Sequence, residues 1–168
     1  MRKLIRVIFT FLLTITLTSC EKDDICVEGN TPLLVLEFFN VADTTAVKNV
    51  TALRIVGEGQ AVTVNTFTDR SNLSSVAIPL RTEENSTTFY LISNSASNDN
   101  GQETGNIDTL TFNYDRIEDF KSRACGFVVN YDNVSTELQT GSGNWIADIE
   151  VIRASVTNSD STHVKIFH

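Results

Sequence analysis

From Leu33 onward the chain alternates apolar and polar residues with a period of two, broken every eight to twelve residues by Gly, Pro, Asn, Asp or Ser. The runs are Leu33–Phe39, Val50–Val56, Ala61–Phe67, Ser75–Leu80, Thr87–Ser93, Ile107–Tyr114, Cys125–Tyr131, Trp145–Val156 and His163–Phe167. β-Branched and aromatic residues dominate them, and such spacing predicts a sandwich or barrel of short strands. Leu110, Phe112 and Tyr114 share one face, as do Phe127, Val129 and Tyr131, and Val164 with Ile166 opposes His163 and Lys165. One apolar face per strand predicts antiparallel strands packed on one side. Leu33–Phe39 is apolar on both faces near its start, the mark of a central strand. No long stretch has helical apolar spacing; Arg116–Arg123 is expected to form at most a turn or short helix. The expected fold is all-β, an antiparallel β-sandwich of about seven to nine strands, immunoglobulin-like or transthyretin-like, with a closed β-barrel as the alternative.

The first thirty residues follow another pattern. Arg2, Lys3 and Arg6 precede the apolar run Val7–Leu17, which leads into Leu17-Thr18-Ser19-Cys20. This is a signal peptide ending in a lipobox, with Cys20 the residue to be acylated. The run is shorter than the roughly 20 apolar residues that span a bilayer. Residues 1–19 are therefore read as cleaved, residues 20–31 as a lipidated tether and residues 32–168 as one domain. Several acyl chains on Cys20 hold a protein where one would not. Removing residues 1–19 from the 168 leaves one domain's worth of chain, enough to bury roughly 70% of its unfolded surface.

Charge narrows the partners. The formal charge of −8 becomes −11 once the three signal cations are removed. Such a chain repels phosphate backbones, which excludes nucleic acid, and repels anionic lipid, which leaves anchoring to the acyl chains. With Cys20 committed to lipid, Cys26 and Cys125 remain, an even number in an oxidising compartment, and are read as a disulfide. The alternative is two separate buried thiols.

Candidate chemistry is sparse. His163 and His168 lack the setting of a triad, GxSxG is missing, and neither CxxC nor HExxH occurs. Both histidines are expected to be solvated, and no catalytic residue, metal or cofactor is assigned. Asn98-Asp99-Asn100-Gly101 resembles a calcium loop, but aligning Gly101 with the loop glycine puts Ala96 where the first acidic ligand belongs. Residues 94–106 are thus either an irregular ion site or a hairpin loop. Trp145 is a candidate ligand contact or a core or rim anchor. The interleaved charges Asp115–Arg123 read as a solvated loop.

Lys22-Asp23-Asp24 after Cys20 resembles the export signal that sends lipoproteins of Bacteroidota to the outer face of the outer membrane. The same lineage attaches O-glycans at Asp-Ser/Thr-X, which matches Thr44, Thr109 and Ser161, with Thr109 inside an expected strand. Together, Cys20–Cys26 (CEKDDIC), TPLLVLEFFN, Ile78–Thr82 (IPLRT), Ser122–Gly126 (SRACG) and the closing HVKIF resemble a family of small Bacteroidota lipoproteins of unknown function. The resemblance implies a lipoprotein without assigned activity, is consistent with Cys26–Cys125 pairing, and associates the chain with an outer-membrane β-barrel protein. The expectation is an outer-membrane, lipid-anchored protein, at the cell surface rather than the periplasmic face. It would be a non-enzymatic interaction or accessory module, or alternatively a surface glycan- or ligand-binding module.

Overall fold

The computed structural model describes residues 30–168. Ten strands form two five-stranded sheets: β1 (Leu34–Asn40), β2 (Asp43–Val47), β3 (Val50–Gly57), β4 (Ser71–Leu73), β5 (Ser75–Ile78), β6 (Ser86–Ser93), β7 (Asn106–Ser122), β8 (Gly126–Leu138), β9 (Asp148–Val151) and β10 (Val164–Phe167). The described chain is all-β, a sandwich rather than a closed barrel. The first sheet runs β2-β1-β10-β9, with β5 also paired to β1; the second runs β4-β3-β6-β7-β8.

β1 is central. It pairs with β10 on one side, and on the other with β5 over Leu34–Glu37 and β2 over Phe39–Asn40. Its double-sided apolar start follows, because Leu34, Val35 and Leu36 are all buried. The β1–β10 pair is parallel, which corrects the all-antiparallel expectation. A parallel partner must come from a crossover, and the last strand can meet the first only through tertiary contact.

Between the sheets lies one core, with Leu34, Leu36, Phe38, Val76, Ile78, Val164 and Ile166 of the first sheet meeting Leu53, Ile55, Phe89, Leu91, Leu110, Phe112 and Tyr131 of the second. The alternation of β6 and β7 sets this inner row and leaves Tyr90, Ile92, Ile107 and Thr109 on the outer face.

Other expectations fail as well, among them the strand over Trp145–Val156, which narrows to β9 over Asp148–Val151. Ala61–Phe67 is irregular, with a single bridge from Thr63 to Val56. β2 and β4 were not anticipated, being short and poor in buried apolar residues. Arg116–Arg123 is neither turn nor helix for most of its length, because β7 runs on through Ser122 and pairs with β8 up to Ser122–Gly126. Its Ile117 and Phe120 are exposed because this part of the hairpin projects past the sandwich.

The base of that ribbon is fastened. Tyr114 and Tyr131 stack edge to face at 4.9 Å between ring centres. The Tyr114 hydroxyl donates to the Arg81 carbonyl at 2.9 Å and lies 2.6 Å from the Thr87 hydroxyl, while the Tyr131 hydroxyl donates to the Leu80 carbonyl at 3.1 Å. Arg116 donates to the Thr82 carbonyl and the Asn85 side chain. The Ile78–Thr82 segment is thus a buckle for the ribbon, built from backbone carbonyls that sequence motifs do not mark.

Candidate functional site

A concavity lies on the outer face of the second sheet. Val56, Tyr90, Ile92, Ile107 and Thr109 form its floor, and Arg54, Arg70, Ser97, Gly101 and Glu103 close one end, around about 380 Å³. Strand register explains the floor: Val56 pairs with Tyr90, Tyr90 with Thr109, and Ile92 with Ile107, so successive outward side chains lie abreast. The closed end is a charge network. Arg54 meets Asp69 at 3.6 Å and Glu103 at 3.8 Å; Arg70 meets Asp69 at 3.9 Å and Glu103 at 3.5 Å. Arg70 also donates to the hydroxyls of Ser95 and Ser97, each at 3.0 Å.

Glu103 organises the loop after β6. Its carboxylate accepts from the Ser95 hydroxyl at 2.8 Å and from the amides of Ala96, Gly105 and Thr104. Burial pushes its pKa up, but the donors Gly105, Ser95 and Ala96, with the Arg70 charge, outweigh it and hold the group below its ordinary value. Asn98 does the same for the loop tip, accepting from the amides of Asn100 and Gln102. Residues 94–106 are therefore a hairpin loop held by its own side chains. Among the described residues no group of three or more His, Cys, Asp or Glu is gathered as a metal would require.

Backbone strain gathers at this end. Ala52, Arg70 and Asn94 have φ of 44°, 59° and 51°, a region that L-residues seldom occupy. Hydrogen bonds hold all three: the Ala52 amide donates to the Asn72 side chain, Arg70 to the Leu53 carbonyl and Asn94 to the Thr51 carbonyl. Strain maintained in this way recurs at binding sites. Asp69 Oδ1, at the same network, is buried without a hydrogen-bond partner among the described residues.

The residues singled out from sequence lie elsewhere. Trp145 is part-buried at the sandwich rim. Its indole N–H donates to the Leu91 carbonyl at 3.1 Å, and its ring meets Phe38 and His168. His163, expected in solvent, is buried: its Nδ1 accepts from the Val35 amide at 3.1 Å, and its own amide donates to the Val35 carbonyl. Its contacts with Val35 at the start of β1 bury it, although it alternates with the core residues Val164 and Ile166. Burial, then the Arg153 charge, lowers its pKa. His168 is half-buried against Phe38 and Trp145, and its pKa is lowered by burial and by Lys48. Thr44 is exposed on β2, Ser161 is half-buried in a loop, and Thr109 is half-buried on the trough floor. Beside it Asp108 is buried, accepting from the Ile146 amide at 2.8 Å, with burial raising its pKa. Cys125 lies in the β7–β8 turn, its amide donating to the Ser122 hydroxyl at 3.0 Å. Cys20, Lys22, Asp23, Asp24 and Cys26 lie outside the described residues.

Sequence reasoning missed the trough. Alternation could have put Arg54 and Tyr90 on outward faces, but Arg70 and Glu103 come from loops with no periodic signal.

No curated protein and no solved structure matches this chain. Residues 52–168, more than half of the chain and including the whole trough, the ribbon and the last strand, match a family of unknown function. By that match the chain belongs to the family designated DUF6452.

Proposed function

We propose that the mature protein is a cell-envelope lipoprotein of the Bacteroidota type, acylated at Cys20 and displayed on the outer membrane. In this reading it is a non-enzymatic interaction or accessory module for a membrane-embedded β-barrel protein. The observation that carries the reading is the lipobox Leu17–Cys20 behind its cationic and apolar run. Geometry supports it in two ways. The described chain begins at Asn30 in a groove beside Lys121 and Val128, so a tether would join the domain at the ribbon's side. The ionisable groups of the trough neutralise one another, whereas proton transfer needs a group of tuned and unspent basicity.

Cys26–Cys125 pairing belongs to the same reading. The Val129 amide donates to the Thr31 hydroxyl at 3.4 Å. Cys26 stands five residues before Thr31 and Cys125 four before Val129, so each is within about 17 Å of that contact along an extended chain.

Fractionation of Cys20→Ala cells tests the anchor: the variant should leave the membrane or accumulate as uncleaved precursor. A processed, unacylated chain still in the outer membrane would refute it. Co-purification from detergent-solubilised membranes tests the partner, and a barrel protein should be retained by the acylated chain.

The trough favours a second reading, a surface glycan- or ligand-binding module, because Tyr90 offers a ring in the same concavity that Arg54 and Arg70 line. Titration calorimetry with cell-surface oligosaccharides should give heats that Tyr90→Ala abolishes; equal heats from both chains would remove the trough from consideration.

A further inference from the structure

The β7–β8 ribbon ends in an apolar tip. Along its inner face the row Tyr131, Val129, Phe127 goes from buried through half-buried to 65% exposed as the ribbon leaves the sandwich. Phe127 is paired in register with Phe120, itself 55% exposed, and the two rings stack edge to face at 5.2 Å. Ile117 is exposed on the other face. Between the two phenylalanines stand Lys121 and Arg123 and no acidic residue, in a chain whose formal charge is −8. Lys121 is paired with Asp119 at 2.6 Å, and Arg123 has no ion-pair partner among the described residues.

We propose that this tip is a membrane finger, which seats the domain on the bilayer that carries its anchor. The inference rests on the lipid-anchor reading above. Position argues for lipid as the occupant. The described chain begins at Asn30 in the groove that Lys121 lines, one residue from Phe120. Ten residues separate Asn30 from Cys20, a reach of at most about 35 Å. The acylated end therefore stays near the tip and cannot wander to the far loop, roughly 50 Å away along the seventeen residues of β7. Chemistry agrees: aromatic rings flanked by cations suit the boundary between acyl chains and anionic headgroups. Size agrees too, since two phenylalanines and an isoleucine fall well short of the ~800 Å² per partner of a stable protein interface. The finger orients a domain that the acyl chains hold; the overall negative charge forbids it to anchor alone.

The test uses the full mature chain in vesicles of phosphatidylethanolamine and phosphatidylglycerol with brominated acyl chains. Phe120→Trp and Phe127→Trp should each add a blue-shifted emission quenched at least ~2-fold by the bromines, relative to the unbrominated lipid. Gln102→Trp, on the far loop, should emit as in water and stay unquenched. The wild-type chain supplies the Trp145 background. A parallel sample holds residue 20 to a nickel-chelating lipid through a hexahistidine tag, so the result does not depend on acylation. Quenching in that sample from a protein that carries no lipid in cells sustains the finger and removes the anchor assignment. Vesicle-bound chains whose tip tryptophans stay water-like in both samples overturn the finger. So does shielding of the tip that requires outer-membrane proteins and fails in pure lipid, which would mark a protein-docking site instead.

Discussion

Gly105 shows how one position is decided by contacts rather than by local preference. A Cβ there would lie 2.6 Å from Ile92 Cγ2 and 2.8 Å from both the Ser93 carbonyl oxygen and Ser95 Cα. Two of those neighbours are backbone, so Gly105→Ala must displace the loop that Glu103 organises. The expected cost is about 1–3 kcal/mol, the range of overpacked sites, read from urea unfolding midpoints; an unchanged midpoint would mean that the loop is not held by this contact. His163 offers a second test at this scale. Its folded pKa lies below the ordinary 6.5, through burial and then Arg153, and that of His168 lies below it through burial and then Lys48. The unfolded chain therefore takes up protons first. Stability is complete above about pH 6.5 and falls as pH drops from there toward the folded values. Asp108 acts in the opposite sense: burial raises its folded pKa above 3.8, so at lower pH it binds its proton earlier in the folded state and offsets part of the loss. His163→Asn keeps an acceptor for the Val35 amide and cannot titrate. Its unfolding free energy should vary less between pH 7.5 and pH 5.5 than that of the wild type. Equal slopes would exclude His163 as a source of acid sensitivity.

Among the elements, β7 and β8 divide into two regimes. Over Leu110–Tyr114 the hairpin is core, with Phe112 fully buried and edge to face with Phe89 at 6.2 Å. Beyond the Arg116–Tyr131 pair, where Tyr131 is still bridged to Val156, the hairpin has no third strand among the described residues and only Val128 stays buried, and ribbons of two strands are marginal by themselves. Phe112→Ala should cost about 3–5 kcal/mol by leaving a cavity, whereas Phe127→Ala should change stability by no more than about 0.5 kcal/mol. Paired urea titrations distinguish the two. Comparable losses would mean that the ribbon is integral to the core. Amide exchange gives the same contrast without mutation: Glu118–Phe127 should exchange through local opening and Phe89–Leu91 only near global unfolding. Half of this division was legible. The alternating Leu110, Phe112, Tyr114 run marks an inward face, but nothing in the alternation of Phe127, Val129 and Tyr131 tells that its far end outruns the opposing sheet.

At the scale of the whole molecule, the groove at Asn30, the ribbon and the trough lie in sequence along the second sheet. If Cys26 and Cys125 are bonded, non-reducing mass spectrometry of tryptic peptides from exported protein will contain the linked pair, and two free thiols would rule it out. The closed loop of about a hundred residues stabilises by ~4–5 kcal/mol in the chain-entropy model, so Cys26→Ser with Cys125→Ser should lower the unfolding midpoint. Alanines at Lys22, Asp23 and Asp24 should leave the protein membrane-bound yet protected from protease added to intact cells. Equal protease access for both chains would reduce that segment to a plain tether.

What the sequence determined by itself is local: most of the strands where apolar and polar residues alternate, the two-sided burial of β1 and the absence of helix from the described residues. These follow from the two-residue repeat of an extended chain, which each segment carries within itself. The tertiary structure decided what depends on neighbours distant along the chain. It set β10 parallel to β1 and drew His163 inside by giving its Nδ1 the Val35 amide. It sent the end of β7 and the start of β8 past the core, and brought Arg54, Asp69, Arg70 and Glu103 together from one strand and two loops. A residue's alternation fixes which side it faces; whether anything lies on that side is a property of the other sheet.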